Sequence, residues 1–165
     1  MNRVLMVDDE IPVLSALKRA LRLHFGDAIE FEQCSDPRLA LERLQAVAFD
    51  VVISDLSMPH MDGLAFLNQV HEIQPHAVRM ILSGNTEVQP ILQSLNQVGV
   101  FRYITKPWAL DKLTEHVLAA LQQANQSRQE RELADQMRVK KGELSPAEVA
   151  LRRLREADPS VPRSD

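Results

Sequence analysis

The chain is poor in the residues that build several common kinds of site. Its 165 residues include one cysteine, Cys34, so an internal disulfide framework and a cysteine-based zinc site are both excluded. Cys34 is expected to be a buried small hydrophobe in a reducing compartment. No apolar run approaches the roughly 20 residues that span a membrane. The opening MNRVLMVDDE lacks the charged-then-apolar layout of a secretory leader, and a cytoplasmic location follows as the expectation. No G-x-G-x-x-G follows the first apolar run, which argues against a dinucleotide-binding dehydrogenase. The five histidines are scattered without metal-ligand spacing, and a net charge of −4 gives no global electrostatic footprint for nucleic acid.

What is present is an alternation of short apolar runs with longer helical patterns over the first 120 or so residues, the mark of βα units and a parallel sheet. The strand candidates are 4–7, 29–34, 51–54, 78–83 and 100–105. The first, third and fourth are nearly continuous apolar runs, as in central strands covered on both faces. The second alternates Ile29, Phe31 and Gln33 with Glu30 and Glu32, which places it near an edge. The helices between them have readable ends. Pro12 sits in the opening turn of the first, Asp36 and Pro37 cap and open the second, and MDG leads into the third. A fourth is expected over about 86–97, with Gly99 as its stop.

The pattern after Pro107 outruns a domain helix. If helical throughout, residues 110–138 extend about 43 Å, longer than a small domain is wide, so the polar second half must project, pair with another helix or fray. VKKGEL reads as a linker. In SPAEVALRRLREA, Ser145 and Glu148 form a capping box with Pro146 at the first helical position, and DPSVPRSD reads as a disordered end. Val149, Leu151 and Leu154 suggest a groove-docking face. The expected division is a domain over 1–122, a helical extension and linker over 123–144, and a short helix with tail over 145–165.

In an open parallel sheet, ligands bind at the carboxyl ends of the strands. Asp8 and Asp9 follow the first strand, Asp55 ends the third, Ser83 ends the fourth, and Lys106 with Pro107 follows the fifth. Each pair of carboxylates at 4 Å costs on the order of 4 kcal/mol at an effective dielectric of about 20. Something positive must balance them. A hard, oxygen-seeking divalent ion such as Mg²⁺ (or Mn²⁺) fits, with Lys106 as a second positive charge. The set suits phosphoryl transfer to Asp55 as nucleophile, with Asp8 and Asp9 holding metal and Ser83 and Lys106 holding phosphoryl oxygens.

Four ordered motifs carry a family resemblance over about residues 1–122: VLMVDDE, VVISDLSMPHMDG, ILSGN and YITKPW. Together they resemble the receiver domain of two-component response regulators, similar to the chemotaxis response regulator. The resemblance implies a flavodoxin-like, doubly wound α/β fold with five parallel strands in the order 2-1-3-4-5, here with a long C-terminal helical extension. It also implies Asp55 as phosphoacceptor, Asp8, Asp9, Asp55 and the Ser57 carbonyl around the metal, Ser83 and Tyr103 as a coupled switch pair, and Lys106 as the phosphate-binding amine. A cis Lys106–Pro107 peptide is the family habit, and Ser57 and Asn85 occupy positions that tune phosphate lifetime. The implied partners are a sensor histidine kinase or phosphotransfer protein and an unknown downstream protein, with a homodimer through the last helix as one option. The implied role is a self-catalysed phosphoacceptor rather than an enzyme.

The 43 residues after 122 are too few and too polar for a DNA-binding output domain. Two other readings stay open. A phosphorylation-independent adaptor would be expected to lose Asp55 or Lys106, and both are present. An aspartyl-phosphate phosphohydrolase would carry D-x-D, whereas Leu56 and Ser57 follow Asp55.

Overall fold

The computed structural model describes residues 1–84 and 89–162. The elements in chain order are β1 (Asn2–Val7), α1 (Ile11–Phe25), β2 (Ile29–Cys34), α2 (Pro37–Ala46), β3 (Val51–Asp55), α3 (Gly63–Ile73), β4 (Val78–Gly84), α4 (Leu92–Val98), β5 (Arg102–Lys106), α5 (Leu110–Lys140) and α6 (Pro146–Ala157). The five strands form one parallel sheet in the order β2-β1-β3-β4-β5. The chain steps from β1 out to β2, turns back past β1 to β3, and so leaves the reversal of strand order between β1 and β3, where open sheets of this class form their crevice.

Strand alternation divides the core into two layers. Val4, Met6, Ile53, Met80 and Leu82 face α1 and α5. Leu5, Val7, Val52 and Ile81 face the other way, onto Phe66, Leu67 and Val70 of α3 with Ala40, Leu44 and Leu95. β3 is buried at every residue, which explains the apolar run Val51, Val52 and Ile53 that opens it. β2 lies at the edge as expected, and its exposed carboxylates find Arg3 (Glu30, 2.8 Å) and Arg43 (Glu32, 2.6 Å).

Among the departures from the sequence reading are the bounds of two elements and the burial of one side chain. β5 begins at Arg102 rather than at 100, because Gly99 turns left-handed (φ 78°) and the Val100 N–H is spent on the Leu95 carbonyl at 3.0 Å, closing α4 instead of extending the strand. α4 is shorter than expected: a 3-10 turn over Gln89–Ile91 precedes it, and the expected start near Thr86 falls outside the described residues. Cys34 is half-buried rather than fully enclosed, with its thiol donating to the Asp36 carbonyl at 3.2 Å.

The C-terminal segment pairs with another helix, one from its own chain. α5 is continuous over 31 residues, about 46 Å at 1.5 Å per residue, with no break at 122. Its first half buries Leu113, Val117, Ala120, Leu121 and Ala124 against the sheet. Its second half passes the N-terminal ends of the strands, where Asn2 donates to Asn125 at 2.9 Å and Arg128 pairs with Asp50. Gly142 (φ 75°) then turns the chain within four residues, so the expected linker shrinks to a tight turn. α6 returns along α5 through Asp135–Arg152 at 3.2 Å and Arg131–Glu156 at 3.8 Å. The Ser145–Glu148 capping box forms as read. Of the three apolar positions expected to dock, only Val149 is buried; Leu151 and Leu154 are 39% and 54% exposed. Residues 158–162 of the expected disordered end form a turn closed by Asp158, and residues 163–165 lie outside the described set.

Candidate functional site

The carboxyl ends of β1, β3 and β5 converge on one cleft. Asp8 leaves β1 fully buried at 1% exposure, and its Oδ1 accepts from the Glu10 N–H at 2.9 Å, a short turn that aims the other oxygen inward. Asp55 is the last residue of β3 and is 6% exposed. Lys106 ends β5, and its Nζ donates to Asp8 Oδ2 and to Asp55 Oδ1, both at 2.9 Å. Asp9 sits at the exposed lip. One ligand oxygen from each of Asp8, Asp9 and Asp55 lies within 4.8 Å of the others, a spacing that a small divalent cation can bridge.

The electrostatics follow from this placement. Burial pushes the Asp55 carboxyl up, the Lys106 hydrogen bond pulls it down, and the nearby Asp8 charge pushes it up again, leaving its pKa at about 6. For Lys106, burial opposes the charge but the hydrogen bonds from its ammonium to Asp8 and Asp55 outweigh it, so its pKa stands above the usual lysine value. One lysine therefore offsets only part of the negative charge in the cleft. A donor set of three carboxylates with one partly exposed rim is the chemistry of a hard cation, and Mg²⁺ fits these residues.

The remaining candidates sit less centrally. Ser83 is buried in β4 beside Thr105 of β5, and its hydroxyl donates to the Gly84 carbonyl at 3.4 Å. Ser57 lies exposed in the turn just after Asp55. Tyr103 is 40% exposed on β5 and lines a cavity of about 610 Å³ with Leu92, Trp108, Lys112 and His116. Trp108 is half-buried and packs against the core. The Lys106–Pro107 peptide is cis. Asn85 lies outside the described residues.

Gly63 was not assigned a role from the sequence, and the geometry gives it one. It opens α3 and donates its N–H to the Leu56 carbonyl at 2.7 Å, and a Cβ there would sit 2.2 Å from the Asp55 carbonyl oxygen. α3 can approach the back of Asp55 only because residue 63 has no side chain. Asp62 caps the same helix by accepting from the Ala65 N–H at 2.8 Å, so the D-G of MPHMDG combines a cap with a close approach. Asp50 was likewise missed: it accepts from the Arg3 N–H at 2.8 Å and pairs with Arg128, tying α5 to the sheet.

The fold and site together are thus a five-stranded doubly wound sheet with an acidic cleft and an amine reaching across it from the last strand. The family model of the response regulator receiver domain matches residues 4–118, and the chain belongs to that family. It is 39% identical over 124 residues to the hydrogenase transcriptional regulatory protein HoxA of Bradyrhizobium diazoefficiens, covering 72% of this chain and 24% of that protein. The regulatory protein AtoC of Escherichia coli is 32% identical over 132 residues, covering 80% of this chain and 28% of that protein. The chain thus spans about a quarter of the length of these relatives. Among solved structures it resembles the adenylate cyclase of Rhodopirellula baltica (TM-score 0.74, 28% identity, 82% of this chain and 98% of that one). It also resembles the Vibrio cholerae chemotaxis protein CheY4 (TM-score 0.66, 29% identity, 73% and 99%). Among the described residues no helix is long and apolar enough to cross a membrane.

Proposed function

We propose that this chain is a phosphorylation-controlled switch of a two-component system that accepts a phosphoryl group on Asp55 from a phosphohistidine of a sensor kinase or phosphotransfer protein. The single observation that carries the reading is the Lys106 ammonium held at 2.9 Å from both Asp8 and Asp55. It offers positive charge where phosphoryl oxygens would lie, with the Asp55 oxygen beside it as nucleophile.

In this scheme an ionised Asp55 oxygen attacks the phosphorus, and the bond from phosphorus to the donor imidazole nitrogen breaks with its electron pair leaving on that nitrogen. Lys106 turns from the Asp55 carboxylate to a phosphoryl oxygen and keeps its second hydrogen bond to Asp8, which holds the amine in place through the exchange. Mg²⁺, when held by Asp8, Asp9, Asp55 and the Ser57 carbonyl, supplies charge neutralisation for the phosphoryl oxygens. Ser83, one residue before the end of β4, donates to a further oxygen, and Tyr103 carries the change to the β5–α5 surface. Attack of water on the aspartyl phosphate returns the carboxylate and releases inorganic phosphate, so the chain resets itself and is not a turnover enzyme. The reading places the chain in the cytoplasm, with a downstream protein as its output.

The stoichiometry of donor consumption separates this from the alternatives. With a small phosphoramidate donor and Mg²⁺, a switch shows a burst of one phosphate per chain followed by slow hydrolysis. Sustained turnover of unrelated phosphate esters supports a phosphohydrolase, and no consumption supports an adaptor.

A further inference from the structure

We propose a second ligand site at the opposite end of the sheet: the cleft beneath the N-terminal ends of β4 and β5, walled by Arg79, His76 and Arg131, binds the oxyanion group of a small phosphate- or carboxylate-bearing molecule. The cleft has a volume of about 250 Å³, and its lining contains two arginines, a histidine, Gln123 and Ser127 but, among the described residues, no carboxylate. It is remote from Asp55, which lies at the carboxyl end of the central strand β3.

Arg79 is the observation that points to a ligand. It is 91% buried, being 9% exposed, and its Nη2 donates to the Gly99 carbonyl at 3.2 Å while Nε and Nη1 have no hydrogen-bond partner among the described residues. A guanidinium carries five donors and keeps its charge, so burying it against one neutral carbonyl is costly unless something else completes it. Burial alone lowers its pKa, with no acidic group offsetting the loss. Arg131, across the cleft on α5, also has a buried Nε without a hydrogen bond; its ion pair with Glu156 is a long 3.8 Å. His76 stands at the same distance, 3.8 Å, from the same Glu156 oxygen. Arg131 and His76 thus share one distant carboxylate, and Arg79 has only the neutral Gly99 carbonyl.

An oxyanion between Arg79 and Arg131 supplies the missing acceptors, and bidentate pairing with planar guanidinium groups is the strongest form of that contact. Because Nε and Nη1 are enclosed as they stand, engagement requires the Arg79 guanidinium to turn, and the one restraint against that turn in hydrogen bonding is its neutral bond to Gly99. Glu156 competes for the same cations from α6, which predicts that removing its charge strengthens binding.

The test is an amide chemical-shift titration of the full chain without divalent metal, at constant ionic strength in chloride, with inorganic phosphate in one arm and acetate in the other. Saturable shifts at Ala77, Gly99 and Ser127 are expected, weakened about tenfold or more by Arg131→Ala and by Arg79→Gln, and strengthened several-fold by Glu156→Gln. The arm with the tighter binding assigns the oxyanion class. If Arg79→Gln does not fold, the Arg131 and Glu156 variants on the exposed helices decide. Non-saturating shifts in both arms, or saturable shifts confined to the Asp8, Asp55 and Lys106 end, overturn the proposal and leave water as what completes Arg79.

Discussion

Lys106 and Asp55 are joined across the cleft, the ammonium donating to Oδ1 at 2.9 Å from the carboxyl end of the edge strand β5, two strands away. The same nitrogen holds Asp8 at the same distance, so removing it leaves two buried carboxylates facing each other. Lys106→Met is expected to destabilise the metal-free protein by about 2 to 4 kcal/mol at pH 7, and less near pH 5 where Asp55 takes a proton. Denaturant unfolding at the two pH values checks this, and added Mg²⁺ is expected to restore part of the loss.

Asp55 sets a pH dependence with a defined sign. Its pKa rises on folding from 3.8 to about 6, so the folded state holds its proton more tightly than the unfolded chain. The stabilisation is full below pH 3.8 and is lost as pH rises through about 6. Asp55→Asn, which removes that loss, should therefore stabilise the metal-free protein by about 1 to 2 kcal/mol at pH 7, after allowance for water at the cleft mouth, and by little at pH 4. A thermal melt series across that window in a chelator reads it directly. Equal effects at both ends of the series would remove burial as the cause.

At Gly63 the limit is steric. A methyl group 2.2 Å from the Asp55 carbonyl forces α3 or β3 to shift, and Gly63→Ala is expected to cost about 1 to 3 kcal/mol and to slow phosphoryl transfer by displacing Asp55. Chemical denaturation together with phosphorylation rate tests both consequences. A variant of native stability and native rate would show that the close approach is unimportant.

The helical hairpin rests on few contacts. Val149 is the apolar residue α6 buries, while its ion pairs are surface pairs worth little each. Val149→Asp should release α6 and raise its hydrogen exchange to that of an open helix, with β1, β3 and β4 unchanged. Retained protection in α6 would mean that the charged contacts suffice.

Much of this architecture was legible because it follows from burial. β3 is enclosed on both faces and opens with the apolar run Val51, Val52 and Ile53; β2 is an edge and reads as an alternation. Asp8, Asp9, Asp55 and Lys106 were legible because they follow strands, and parallel strands bring their carboxyl ends together whatever the helices do. Less was visible where a contact is long-range and one-sided. Gly63 marks a backbone approach to a residue eight positions earlier, Asp50 meets Arg128 on a helix 78 residues later, and Arg79 reads from sequence as one polar residue in an apolar strand. The return of α6 along α5 depended on Gly142 and on charge pairs with no period to announce them.

The measurement that bears most directly on the central claim is intact mass with site localisation after exposure to a phosphoramidate donor, with Mg²⁺ or with chelator, for the wild type and Asp55→Ala. One phosphate per wild-type chain, mapped to Asp55 and as labile to hydrolysis as an acyl phosphate, dependent on Mg²⁺ and missing from the variant, is the predicted result. A phosphate of equal occupancy on Asp55→Ala, or none on the wild type with a donor that phosphorylates a control receiver, would contradict it.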